Sequence, residues 1–466
     1  MEPRTLDYIA AATGGELRHG PPGASVNHIC IDSRQTDKGD LFFALAGERF
    51  DAHNFLPEVA RRGAAAVVAE RAKIPSDFQA CAVIGVDNTR AALGRLGARY
   101  RRDFTLPVIA VGGSNGKTTT KELIASVLRQ KWALIWSEAS FNNEIGVPLT
   151  LLKLEKSHQA AVIEAGTNHP GELAPLLLMM SPYIGVITNI GREHLEFFGD
   201  LSGVAQEEGA MAEVLPPNGV LFVNGDSEWT DTIVRRCRSR VVRVGFGDGN
   251  DWVAKNLAVT DTGVTFSVRC HQPDLIGEYR IQLLGRHQVV NALFALAIGA
   301  ELGLNRAEIE RGLATCAPAK MRLQLSRAGD IRVLDDSYNA NADSMLAALQ
   351  TLSDLPCAGR RVAVLGDMAE LGESSRDSHA EVGKRAAEFR FDKLFAIGAR
   401  AGEIASAARR GGLQAVEEIP EVESAAAAVR EFARAGDVVL IKASRAMRLE
   451  RISEALRQNH EENHCA

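Results

Sequence analysis

The chain has 466 residues, 46% apolar and 24% charged, a globular composition that excludes disorder and collagen-like repeats, and at about 150 residues per domain it predicts about three domains. Its net charge of −6 comes with no strongly basic tract, so nucleic acid is not expected as a partner. The seven cysteines are scattered without a C-x-x-C pair, which signals neither a zinc site nor a disulfide framework and suits a reducing cytoplasm.

The opening Met1-Glu2-Pro3-Arg4 lacks the basic and apolar regions of a secretory signal. To about residue 103, Gly, Pro and Asp clusters alternate with short apolar runs. Two alanine-rich stretches, 57–71 and 90–101, read as helices, and together these features predict a small α/β domain. From 106 onward buried strands alternate with helices, as a parallel sheet covered on both faces requires. Strands are predicted at 106–111, 160–164, 184–189 and 220–224, and helices at 117–130 and 288–302. The second helix is apolar almost all round and therefore interior. Residues 173–190 carry no charge, yet Pro175 and Pro182 divide them into a helix and a strand, so no membrane span is expected. A third tract from about 315 repeats the alternation, with strands at 361–366, 393–398 and 438–442. The polar end is expected to fray from Asn459.

Strand 106–111 runs into Gly112-Gly113-Ser114-Asn115-Gly116-Lys117-Thr118-Thr119. Glycines let backbone N–H groups turn inward around phosphate oxygens, and the following helix adds a favourable dipole. Lys117 is then placed to reach the terminal phosphates, and Thr118 to offer its hydroxyl to magnesium. The strict G-x-x-x-x-G-K-[ST] pattern fails, because Val111 stands five before Gly116, and the shorter G-x-x-G-K-T remains. With no N-K-x-D to read guanine, ATP is expected. Glu164 ends a buried strand, where a carboxylate can face a metal beside the loop. His194, after the next strand, is a candidate to join it, the alternative being a surface or satisfied histidine.

The loop, Glu164 and His194 together resemble the Mur ligase family, ATP-dependent amide-forming enzymes of peptidoglycan precursor synthesis. The likeness runs over nearly the whole chain and rests further on residues 140–150 (SFNNEIGVPLT), 335–341 (DDSYNAN) and 364–372 (VLGDMAELG). Gly285-Arg286-His287 with Asn291, Arg322 and 441–445 (IKASR) add to it. These segments are most similar to the branch that adds D-alanyl-D-alanine to a UDP-N-acetylmuramoyl tripeptide.

The resemblance implies an α/β chain of three domains. They are an N-terminal UDP-sugar domain at 1–104, a central phosphate-loop, parallel-sheet ATPase domain at 105–314, and a C-terminal Rossmann-like domain at 315–466. It implies ATP and magnesium as cofactors, the UDP-tripeptide and D-alanyl-D-alanine as substrates, an acyl phosphate between them, and a cytoplasmic monomer. By matching position, Lys117, Glu164 and His194 are catalytic. Gly113, Ser114, Asn115, Gly116, Lys117, Thr118, Thr119, Asn143, His287, Asn291, Arg322 and Asp336 bind ATP. Ser33 and Arg34 take the UDP part, Asn339, Ser444 and Arg445 the dipeptide, and Thr118, Glu164, His194 and Glu208 metal. The alternatives are a sister ligase adding another amino acid, a folylpolyglutamate synthase, or a nucleotide-binding module without catalysis.

Some positions depart from the family pattern. Ala443, Ala342, Met321 and Gln288 stand where glycine, proline, glycine and asparagine are common. The sharper departure is at 205–209 (AQEEG). Many members carry there a lysine converted by carbon dioxide to a carbamate, and here Glu208 takes its place. A glutamate presents the same anionic pair of oxygens on a shorter stem, so Glu208 is expected to serve as a metal ligand or its near neighbour, against the alternative of a solvated helix face.

Overall fold

The computed structural model describes residues 1–47 and 50–464, and Cys465 lies outside them. Three main sheets organise the chain. The N-terminal sheet runs in the order Glu16–His19, Ala82–Val86, Ala66–Glu70, Leu41–Phe43, Ile29–Cys30. One expectation fails here. Of the stretch 57–71, only Leu56–Arg61 is helical, while Ala66–Glu70 is a strand deep in the sheet. Gly63 ends the helix with φ of +92°, a conformation open to glycine, and the short run Ala66-Val67-Val68-Ala69 is wholly buried, as a central parallel strand must be.

The middle sheet has nine strands. Leu134–Trp136, Ala160–Glu164, Val108–Gly112, Ile184–Ile187, Val220–Asn224, Arg240–Gly245 and Trp252–Thr260 follow one another in parallel. Gly263–Arg269 and Gly277–Ile281 then extend the sheet antiparallel, an addition the strand pattern did not reveal. The helices Lys117–Leu128, His287–Glu301 and Arg306–Thr315 cover one face. His287–Glu301 is buried from Gln288 to Gly299, in keeping with its apolar circumference. The uncharged stretch divides into helix Leu173–Met180 and strand Ile184–Ile187, and no helix among the described residues is long and apolar enough to cross a membrane.

The C-terminal sheet runs Gln324–Ala328, Ile331–Asp335, Val438–Lys442, Arg361–Gly366, Lys393–Ile397, Val416–Ile419, parallel except for the first pair. Its last helix, Glu450–His464, continues past Asn459 where fraying was expected. Leu449, Ile452 and Leu456 are buried and anchor it, and once a helix is anchored each further turn propagates at little cost.

The three domains are joined unequally. One hydrophobic cluster runs from Leu6 and Leu96 of the first domain into Val147, Leu151 and Leu177 of the second. Tyr100 fastens the same seam, its hydroxyl accepting from Glu2 N at 2.6 Å and donating to Leu154 O at 2.7 Å. The third domain has two cores, one of which takes in Leu284 of the second domain, and otherwise meets the second mainly through polar side chains, described below.

Within the middle domain, Gly312 lies flat on the phosphate-loop helix. A Cβ there would come within 2.4 Å of Val127 Cα and 2.9 Å of Ser126 O, both backbone atoms that cannot yield. Gly312→Ala is therefore expected to destabilise the middle domain by about 1–3 kcal/mol, the usual cost of overpacking. A fall in the melting midpoint of that domain checks it.

Candidate active site

Strand Val108–Gly112 is buried along its whole length and delivers the loop to the carboxyl edge of the sheet, where parallel sheets bind ligands. Gly113 and Gly116 have φ of +106° and +83°. Neither has space for a side chain, since a Cβ would meet Thr188 Oγ1 at 2.3 Å and Asn291 Oδ1 at 2.8 Å respectively. Three loop amides are already spoken for. Gly113 N donates to Glu208 Oε2 (2.7 Å), Ser114 N to Asn189 O (2.9 Å) and Asn115 N to Asn189 Oδ1 (2.7 Å). The first N–H groups of any helix lack an intrahelical acceptor; those of Lys117–Leu128 have no side-chain cap either, and Gly116, Lys117, Thr118 and Thr119 line the cleft. Lys117 Nζ turns back onto Gly113 O (2.6 Å), Ser114 O (3.2 Å) and Glu193 Oε2 (3.3 Å).

Register places the acidic group. Glu164 pairs with Val111 across parallel strands, so its side chain emerges beside the root of the loop. Oε1 accepts from Asn142 Nδ2 at 2.9 Å, while Oε2 is buried without a partner, as are Thr118 Oγ1 and Glu208 Oε1. Unpaired buried oxygens are costly, and those of Thr118 and Glu164 belong to residues that line the cleft, where a bound cation would satisfy them. Burial pushes Glu193 up to about 8 and Glu208 up to about 7. Lys117 opposes both shifts. Burial by itself would lower Lys117, and the attraction of Glu193, Glu208 and Glu164 outweighs it and raises the lysine.

Across the cleft stand the carboxyl ends of the third-domain strands. Arg192 is held in Asp343 by Nε (2.8 Å), Nη2 (2.6 Å) and its backbone N (2.7 Å), and by Nη1 in Glu381 (2.5 Å). His194 pairs through Nδ1 with Glu370, and Asn341 Nδ2 donates to Asn115 Oδ1 of the loop at 2.9 Å. Burial draws His194 below its usual pKa, with Glu370 opposing. His287 is pushed down to about 4 by burial and is neutral at physiological pH. Asn291 donates to Gln288 Oε1 at 2.8 Å. Asp336 accepts from Leu323 N (3.0 Å) and pairs with Lys442 (2.6 Å), and the Arg322 guanidinium lies 4.2 Å over the Tyr338 ring.

These groups enclose a cleft of about 1210 Å³. Every residue given a site role from the sequence lines it except Gly113, Glu208, Ser33 and Arg34. Glu208 lies behind the loop on the Gly113 amide. Ser33 and Arg34 sit in a turn of the first domain, with Arg34 82% exposed and paired to Asp32, outside the cleft. Asn143 faces the cleft but spends Oδ1 on Ile145 N and Gly146 N. Ser444 accepts from Ala369 N at 2.7 Å and donates to Ala340 O at 3.4 Å, so its hydroxyl is used inside the domain. Glu193 also lines the cleft and belongs to no recognisable motif. Its only signal in the sequence is its place beside His194.

Three family models match in order: the Mur ligase family catalytic domain at residues 25–101, the Mur ligase middle domain at 111–299 and the Mur ligase glutamate ligase domain at 321–445. The chain belongs to the Mur ligase family. Among the Mur ligases it is 35% identical to the UDP-N-acetylmuramoyl-tripeptide--D-alanyl-D-alanine ligase of Escherichia coli over 98% of both chains. It is 34% identical to the enzyme of the same name from Bacillus subtilis over 98% of this chain and 99% of that one. A crystal structure of the Mur ligase MurF from Acinetobacter baumannii superposes with a TM-score of 0.89 at 33% identity, covering 98% of this chain and 99% of that one. The MurF ligase of Thermotoga maritima, solved in complex with ADP, gives 0.83 at 27% identity over 94% and 99%.

The raised Glu208 has a consequence for the ligand-free protein. Its folded-state value of about 7 lies above the ordinary 4.5, so between those values the folded chain holds a proton the unfolded chain has lost, and stability falls as pH rises. Glutamine keeps an oxygen for Gly113 N and does not ionise. The melting midpoint of Glu208→Gln is expected to gain on the parent from about pH 5 to about pH 8, read by paired melts across that range.

Proposed function

We propose that the chain joins D-alanyl-D-alanine to UDP-N-acetylmuramoyl-tripeptide in an ATP-dependent reaction of peptidoglycan precursor synthesis. The observation that carries this reading is Lys117, at the head of a phosphate loop, in the same cleft as the unpaired oxygens of Thr118 and Glu164 and under a second domain's strand ends. The names of the relatives and the match along the whole chain support the substrates.

A carboxylate is a poor acyl donor because oxide is a poor leaving group. In the proposed reaction the tripeptide carboxylate attacks the terminal phosphorus of ATP, and ADP departs. The dipeptide amine then attacks the acyl phosphate, and phosphate leaves as the amide forms. Lys117 would exchange its loop carbonyls for the phosphate oxygens and follow the charge that develops there. The amides of Gly116, Lys117, Thr118 and Thr119 would hold the same oxygens, with Ser114 and Asn115 shaping the loop. His287 and Asn291 would face the adenine side, and Arg322 and Asp336 would close on the nucleotide from the third domain. The pairs Arg192–Asp343 and His194–Glu370 hold that domain down, which keeps water from the acyl phosphate.

Thr118 Oγ1 and Glu164 Oε2 would hold a magnesium ion, which when bound draws charge from the phosphate oxygens. Two such oxygens suit a hard cation that takes few protein ligands and fills its shell with phosphate and water. Among the described residues no group of three or more His, Cys, Asp or Glu forms a metal cage, in keeping with that arrangement. His194 would offer Nε2 to a second ion, since Nδ1 is tied to Glu370. Glu208 would act behind the loop, as the neighbour that fixes Gly113. Arg445, with Asn339 beside it, would receive the dipeptide carboxylate, and Ser33 and Arg34 the uridine diphosphate.

Phosphate release from ATP is expected only when UDP-tripeptide and D-alanyl-D-alanine are both present. A panel of other amines should give none, and response to a different amino acid would assign the chain to a sister reaction. Lys117→Ala should lower kcat/KM by about 10²-fold or more, and persistence of the activity would mean the loop is misassigned. Turnover should be independent of added bicarbonate and should drop sharply in Glu208→Gln. Full turnover in that variant would remove Glu208 from the machinery.

A further inference from the structure

Glu207 has no part in the reaction above, yet it is 9% exposed and carries three hydrogen bonds. Oε1 accepts from Leu173 N (2.8 Å) and Thr167 Oγ1 (3.2 Å), and Oε2 accepts from Gly171 N (2.8 Å). Among the described residues no Lys, Arg or His forms an ion pair with it, so its work is to collect these donors. Helix Leu173–Met180 begins without a side-chain cap of its own, and a carboxylate at its first amides satisfies groups the helix leaves open and suits its dipole. Glu207 thus pins both ends of the turn at 167–173 from a helix about 35 residues away in sequence.

That turn and the helix after it form one wall of the cleft, with Asn168, His169, Glu172, Leu176 and Met179 facing it. The same helix also touches the first domain at its C-terminal end. A Cβ at Gly94 would lie 3.1 Å from Met179 Cε, and Arg101 Nε donates to Met180 O at 3.0 Å. The wall therefore stands between the first domain and the phosphate loop, on the route of any substrate held by the first domain and reacting at the loop. The neighbouring residue reaches the other way, Glu208 Oε2 lying 2.7 Å from Gly113 N. The end of helix Leu201–Glu208 serves two sides of the cleft with two adjacent carboxylates.

We propose that Glu207 is a positioning residue that sets the substrate-facing wall of the cleft, governing capture of the UDP-linked peptide and not of the nucleotide. The proposal rests on the function given above for the identity of that peptide. Glu207→Ala frees both ends of the turn. Glu207→Gln keeps the oxygen for Leu173 N and Thr167 but sets an amide against Gly171 N, so it should fall between.

Calorimetry with UDP-N-acetylmuramoyl-tripeptide alone, and separately with ADP, tests this without requiring turnover. Glu207→Ala is expected to weaken tripeptide binding by about 10-fold or more, with Glu207→Gln intermediate and ADP affinity within about 2-fold of the parent in both. In the steady state the loss should appear in the KM for the tripeptide, with kcat at saturation largely kept. Equal weakening of both ligands, or unchanged tripeptide binding, overturns the proposal. If Glu207→Ala does not fold, the same two titrations on Glu207→Gln decide it. A parent that binds the tripeptide without turning it over with the dipeptide would overturn the assigned reaction while the two affinities still judge Glu207. A parent that binds no tripeptide would overturn both.

Discussion

One lysine faces three carboxylates. Lys117 is attracted by Glu193, Glu208 and Glu164 in a setting where burial penalises every charge, and the rest of the site is arranged around that imbalance. Charges withdrawn from water are tolerated only when paired and hydrogen-bonded, and one cation cannot pair with three carboxylates, so Glu193 and Glu208 hold their protons to higher pH. The structure meets this with amides and geometry. Gly113 N supports Glu208, Asn142 supports Glu164, and two of the loop's own carbonyls hold the lysine head. The result is a pocket whose free helix-end amides suit the phosphates of a nucleotide.

The two parallel sheets contribute in different ways. The middle sheet supplies rigid placement, because Val108–Gly112 lies between Ala160–Glu164 and Ile184–Ile187, and register carries both Glu164 and the 188–194 segment to the loop. The third domain supplies contacts that form across an interface: Arg192 with Asp343 and Glu381, His194 with Glu370, Asn115 with Asn341. The continuous apolar seam between the first two domains and this polar one assign mobility. Polar interfaces separate more readily than a shared core, so the third domain is the part suited to move.

Much of this was legible in the sequence because it is local. Strand, glycines, Lys117, Thr118 and helix form one contiguous signal, and Glu164 lies at the end of an apolar run whose length fits a strand. The alanine-rich stretch 57–71 misled because alanine favours helices when exposed and also fits the close quarters of a central strand, and only Gly63 marked the change. The added antiparallel strands Gly263–Arg269 and Gly277–Ile281 carry largely alternating exposure, a weaker pattern than the buried runs before them. Interdomain partners were invisible for a different reason. Asp343 and Arg192 are 151 residues apart, and no periodicity connects them. Ser444 matches a family motif, yet its hydroxyl is committed to Ala369 and Ala340, a distinction only coordinates reveal.

The grip of Arg192 on Asp343 and Glu381 sets two demands of a working cycle against each other. A shut vessel protects a hydrolysable anhydride, but the same shut vessel retains spent nucleotide and finished product until three acid–base bonds come apart. Closing tightly and emptying quickly are then adjusted by the same few side chains, so the pace of the catalyst is written partly into residues that never touch the atoms being exchanged.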